Sequence, residues 1–181
     1  MKIVLTKEQV DEFYKICKIE HEPIILFCVK QKNLKDAIIL ACRSLDEFGK
    51  KSNHQKRIAK IILDNFSVIL ISNIENIENS KNFEELINLI SAKRIHGIGA
   101  LAVYDIALRI GFYLKIYPEL IYLHAGSKTG AVKLIGKKIN NRFITKEILT
   151  NTCQDLEQFT CANLEVFLCI YHKEKIITKI C

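Results

Sequence analysis

With 181 residues, 49% of them apolar and 26% charged, the chain has globular composition and room for a well-buried core, which excludes the disordered and fibrous classes. Apolar runs such as Ile24–Val29 and Val68–Ile71 fall well short of a membrane span, and Ile3, Val4 and Leu5 ahead of Thr6 and Lys7 are too few for a secretory leader, so the expected location is cytoplasmic. The formal charge of +7 is uneven: residues 1–90 hold 14 Lys/Arg against 13 Asp/Glu, residues 91–181 hold 13 against 7, and Lys93–Lys146 holds ten basic residues against only Asp105 and Glu119.

Thr6 followed by Gln9 is a capping-box pattern and predicts a helix from Lys7 to about Lys18. Pro23 is read as a stop, and Ile24–Val29 as a short buried strand or extended core segment. Asn33 is placed to cap a helix whose Leu34, Ala37, Ile38, Ala41 and Leu45 share one face, with Gly49 as its C-terminal stop. A further helix is expected from about His54 through Ile58, Ile61, Ile62 and Phe66. The polar, locally repetitive stretch 73–82 (NIENIENSKN) reads as a loop between two subregions, 1–72 and 83–181, of one integrated domain. Beyond it, helices are expected at Phe83–Lys93, Ala100–Lys115, Lys128–Lys138, Lys146–Thr150 and Asn163–Lys173. Nothing alternates with period two, so the fold class is mainly α, a single multi-helix domain.

The cysteines are seven, an odd number, without a C-x-x-C pair, and most sit among apolar neighbours, as in Phe27-Cys28-Val29 and Leu168-Cys169-Ile170. They read as reduced, buried thiols rather than a zinc site, whose ligand spacing is missing. No metal is expected.

Six of the seven glycines (97, 99, 111, 126, 130 and 136) lie within forty residues. Glycine permits positive φ and close backbone approach, so such a cluster marks tight turns or places where a ligand meets main chain. The sharpest group is Ile95-His96-Gly97-Ile98-Gly99, set between two helical patterns. Over residues 83–114 this resembles the helix-hairpin-helix element of DNA-binding proteins, whose core is hydrophobic–x–Gly–hydrophobic–Gly. The resemblance implies binding of a DNA backbone without base reading, with Gly97, Ile98 and Gly99 at the turn and a monovalent cation at the loop carbonyls; no other cofactor is expected. The chemistry is consistent: unpaired amides at the start of the second helix, together with its positive end, favour a phosphate oxygen, and Lys93 and Arg94 add charge beside it. Ile95 and Ile98 would anchor the turn. The sequence departs from the family after the second glycine, where Ala100-Leu101-Ala102-Val103 is wholly apolar.

A second candidate anion site is Gly126-Ser127-Lys128, a glycine turn with Ser127 as helix cap, followed by a helix displaying Lys133, Lys137 and Lys138. It is not a nucleotide-binding P-loop, because the required spacing is absent.

The chain is distantly similar to the helix-hairpin-helix DNA glycosylases, and that resemblance directs attention to Glu119, twenty residues past Gly99 and just after Pro118, as a catalytic carboxylate. Two departures stand against it: Glu replaces the family's Asp, and Leu101 stands where lyase-type members carry lysine. An exposed first-turn glutamate after proline is the plainer alternative. Asp105 and Arg109 have i, i+4 spacing and can pair; His54, Gln55 and Arg57 open the next expected helix; Glu157 and Glu165 fit solvated faces. Three readings follow: a nucleic-acid (DNA) backbone-binding protein, a glycosylase-like enzyme using Glu119, or a helical module whose basic segment meets an acidic protein partner.

Overall fold

The computed structural model describes residues 7–173. It is mainly helical. In chain order the helices are α1 (Lys7–Ile16), α2 (Pro23–Val29), α3 (Leu34–Arg43), α4 (Lys60–Ile71), α5 (Ile74–Glu78), α6 (Phe83–Ala92), α7 (Ala100–Leu114), α8 (Ala125–Ile135), α9 (Lys146–Thr150) and α10 (Cys161–Lys173). A short antiparallel pair, β1 (Ile121–Tyr122) and β2 (Phe143–Ile144), sets Ile121 opposite Ile144 and Tyr122 opposite Phe143. Among the described residues no helix is long and apolar enough to cross a membrane.

The chain forms two compact units. One is Glu20–Pro118; the other joins the described residues up to Ile19 with those from Glu119 to Lys173. The stretch 73–82, expected as a loop between subregions, lies inside the first of these and is partly helical. Within it α5 buries Ile77 completely and Ile74 in part, an i, i+3 pair too short to stand out against its polar neighbours.

In the unit 20–118, α7 is the central element. Its residues from Ala102 through Gly111 are all buried, and it packs on α2, α3 and α6. The run Ile24–Val29 is helical, not extended. Pro23 occupies the first helical turn, where its missing N–H costs nothing, and Ile24, Ile25 and Cys28 face inward while Leu26 and Val29 stay exposed. Asn33 caps α3 as expected, accepting from Asp36 N–H at 2.9 Å. That helix ends at Ser44, which takes the left-handed conformation (φ 59°), and not at Gly49. Ser44 is buried and donates its hydroxyl to Gln55 Oε1 at 2.7 Å, so a long-range bond fixes the stop. For the same reason the next helix begins at Lys60 rather than near His54: Gln55 is held in the core, and residues 53–58 turn around it.

The other unit has its own core. Val10 and Phe13 of α1 join Ile121, Leu134, Ile144, Leu149, Leu156, Phe159, Leu164 and Phe167, with Phe13 edge-on to Phe167 at 5.0 Å. Here α8 and α10 make the main helix contact. The Cβ absent from Gly130 would lie 2.0 Å from the Leu168 carbonyl oxygen, and that absent from Gly126 3.3 Å from Cys169 Sγ. These glycines are small because another helix passes over them. Glu165, expected on a solvated face, is buried; Glu157 is exposed and pairs with Lys146 at 3.4 Å. Cys28, Cys42, Cys153 and Cys161 are buried free thiols. Burial pushes the Cys28 thiol up to about 12 and raises Cys42 as well, in both cases against the opposing field of Arg109. Thr6, the partner of Gln9 in the expected cap, and Cys181 lie outside the described residues.

Candidate functional site

Residues 93–99 link α6 to α7 as a tight turn. Ile98 N–H donates to the Ile95 carbonyl at 3.1 Å, and Gly97 sits at φ +90°, a region L side chains rarely adopt. A Cβ on Gly97 would also come within 2.8 Å of Ile62 Cδ1, so the turn rests on α4. Ile98 is buried and anchors it; Ile95, expected to be buried too, is half-buried.

Gly99 is the N-cap of α7, with φ −83° and ψ 169° and no side-chain cap. The first helical backbone bond runs from Val103 N–H to the Gly99 carbonyl at 3.0 Å, which puts the amides of Ala100, Leu101 and Ala102 ahead of it at the helix start. Gly99 and Ala100 are exposed, and nothing lies within 4 Å of where a Gly99 Cβ would stand. Arg94 and His96 are exposed beside the turn and Lys93 is half-buried. This combination of an open N-terminus, uncapped amides and adjacent cations suits an anion oxygen.

The second candidate is built differently. Its helix starts at Ala125, three residues earlier than expected, so Gly126 and Ser127 are inside α8. Ser127 is not the N-cap; it is fully buried, and its hydroxyl accepts from His124 N–H at 2.9 Å. The helix ends at Ile135 with Gly136 in the left-handed conformation (φ 73°), so Lys137 and Lys138 lie beyond it as exposed residues, and only Lys128 and Lys133 belong to it. Lys133 Nζ sits 5.7 Å from the centre of the Tyr171 ring. Its serine is thus turned inward onto the His124 amide, and Gly126 packs toward Cys169.

Glu119 is exposed in an irregular stretch that leads into β1, not into a helix. Its carbonyl accepts from Cys161 Sγ at 3.1 Å. It therefore has no first-turn role, and its side chain is open rather than enclosed in a cleft.

A polar cluster inside the unit 20–118 was only half legible. Asp105 and Arg109, whose i, i+4 spacing would let them pair along α7, are joined through Gln55. The amide nitrogen of Gln55 donates to Asp105 Oδ2 at 2.7 Å, and its oxygen accepts from Ser44 and, at 3.4 Å, from Arg109. Arg109, 2% exposed, also donates to the Ala41 carbonyl at 3.1 Å. His54 Nδ1 lies 3.1 Å from Asp105 Oδ2, with the imidazole side chain about half exposed and the carboxylate nearly covered. Glu22, ahead of α2, faces the same group: burial raises its pKa, Arg109 opposes the rise, Asp105 adds to it and His54 opposes it. Buried polar groups bonded to one another in this way fix one arrangement of the segments that bear them, here α3, α7 and the 52–58 link, although Arg109 Nε is left without a hydrogen bond. Only the i, i+4 spacing of Asp105 and Arg109 hinted at it. Among the described residues no three His, Cys, Asp or Glu side chains converge as metal ligands.

No family model matches this chain, and neither the curated proteins nor the solved structures contain a match to it.

Proposed function

We propose that the α6–α7 turn is a helix-hairpin-helix element that holds the sugar–phosphate backbone of DNA with little sequence preference. The observation that carries the reading is the exposed, uncapped start of α7 at Gly99, reached through a positive-φ glycine and flanked by Lys93 and Arg94. A phosphate oxygen there accepts from first-turn amides, gains from the helix's positive end and is screened by the adjacent cations. Because these contacts are to backbone, they position a duplex without reading it. The reading asks for no cofactor beyond a monovalent cation at the turn's carbonyls.

The test is an anisotropy titration with random-sequence duplex across a salt series. Affinity should fall steeply with salt, with a log–log slope near −0.9 per neutralised phosphate. Replacing Lys93 and Arg94 together by Gln should flatten the slope by about one to two units and weaken all sequences alike. An unchanged slope would remove the turn from the interface. Base release from damaged duplex, which Glu119 would have to support, is expected to be absent.

A further inference from the structure

Phe48 is 86% exposed, and no large apolar side chain among the described residues is more so. It stands at the tip of a loop held in one shape by its own bonds. Asp46 Oδ1 accepts from Phe48 N–H at 3.0 Å and from Lys50 N–H at 2.8 Å. Gly49 N–H donates to the Asp46 carbonyl at 3.0 Å, Asp46 N–H donates to the Lys50 carbonyl at 3.1 Å, and Leu45 bridges Lys51 at the base. Gly49 takes φ +74°, which closes the turn. Below, Ser44 is fastened to the buried Gln55. An aromatic ring displayed on a pre-ordered tip loses little entropy when it meets a partner.

Along the chain past the tip, the charged residues have one sign. Lys50, Lys51, Lys56, Arg57 and Lys60 follow Phe48, with no acid between Glu47 and Asp64. Lys50, Lys56 and Arg57 are exposed; Lys51 is tied to the Ile58 carbonyl at 2.7 Å. An exposed aromatic beside a cationic track is how base-stacking surfaces are built: lysine and arginine follow the backbone while the ring takes a base face, whatever the base. An anionic bilayer is less well matched, because stable insertion takes a broad apolar face, whereas here one ring stands next to Asp46 and Glu47.

We propose that Phe48 is a stacking platform for an unpaired or unstacked base of a nucleic acid whose backbone runs along Lys50–Lys60. The inference rests on the nucleic-acid reading above for its class of partner, but not on the hairpin being the contact. It adds that the substrate carries a single-stranded or distorted stretch.

The chain contains no tryptophan, so Phe48→Trp supplies a single reporter at the tip. Its emission should be quenched when a single-stranded thymidine oligonucleotide binds and unchanged by heparin, a polyanion without bases. Phe48→Ala, at an exposed position that folding does not need, should weaken oligonucleotide binding about 5- to 150-fold, the range base–aromatic stacking gives. Unchanged emission with bound oligonucleotide, equal quenching by heparin, or a blue shift on phosphatidylserine vesicles without an oligonucleotide response would each overturn the proposal. If quenching persists while the Lys93/Arg94 double variant binds as before, the hairpin reading fails and this one stands. A silent tryptophan on a protein whose duplex binding depends on Lys93 and Arg94 is the reverse.

Discussion

Two glycine-bearing helix starts look alike in the sequence and are opposite in the structure. At the start of α7, Gly97 is needed for its positive φ, and Gly99 stands open with no neighbour near its missing Cβ. Gly126, in the first turn of α8, and Gly130, in its middle, have ordinary helical backbone but are pressed against Cys169 and Leu168 of α10. Gly99 leaves its main chain exposed, whereas Gly130 is buried against the Leu168 backbone. A glycine cluster therefore marks close approach, but whether the approaching body is a ligand or the protein's own helix is decided by packing partners far away in sequence.

The largest expected effect tests the packed side of this contrast. Gly130→Ala should cost about 3 kcal/mol or more, above the usual overpacking range, because the new methyl meets backbone that cannot step aside. Gly126→Ala should cost about 1 kcal/mol, since a thiol can give by a few tenths of an ångström. Urea unfolding curves measure both. Equal, small losses would mean that α8 and α10 are not held by that contact.

Next in size is the polar cluster beneath α7. Gln55→Ala leaves the nearly buried Asp105 carboxylate and the Ser44 hydroxyl without their amide and should cost about 2–3 kcal/mol. If stability is unchanged, the cluster does not fix the 52–58 link to α7.

A smaller effect is set by pH. The folded pKa of Glu22 is raised, chiefly by burial, so its contribution is fully present below the ordinary carboxylate range. It is lost as pH rises from there through the folded value, where the half-buried side chain must ionise. Glu22→Gln should therefore match the parent in acid and be the more stable protein at neutral pH. Parallel stability–pH curves for the two would contradict this.

Local signals were legible where one residue type has one use. Asn33 was recognised as a cap, α9 was bounded as observed, and α6 and α7 were placed to within a residue at their ends. Elsewhere the sequence carries two meanings. The run 24–29 is apolar without a decisive period, and Pro23 serves equally as a stop or as the first residue of a helix. Gly49 suits a helix end, yet buried Ser44, bonded to Gln55 eleven residues on, ends α3 first. Strands of two residues give no alternation to detect. At the candidate site the turn itself was legible from Gly97 and Gly99. The covering of Gly126, the burial of Ser127 and the exposure of Phe48 were not, since each depends on contacts that no local pattern encodes.

The most direct test of the claim that Gly99 is an open anion-binding helix start is Gly99→Asp, with stability and duplex affinity measured on the same protein. The backbone there is extended, there is room for a side chain, and aspartate is a favoured N-cap, so stability should hold or rise by a few tenths of a kcal/mol. The new carboxylate would occupy the amides and repel a phosphate, and affinity should fall about tenfold or more. Retained stability with unchanged affinity would contradict the account.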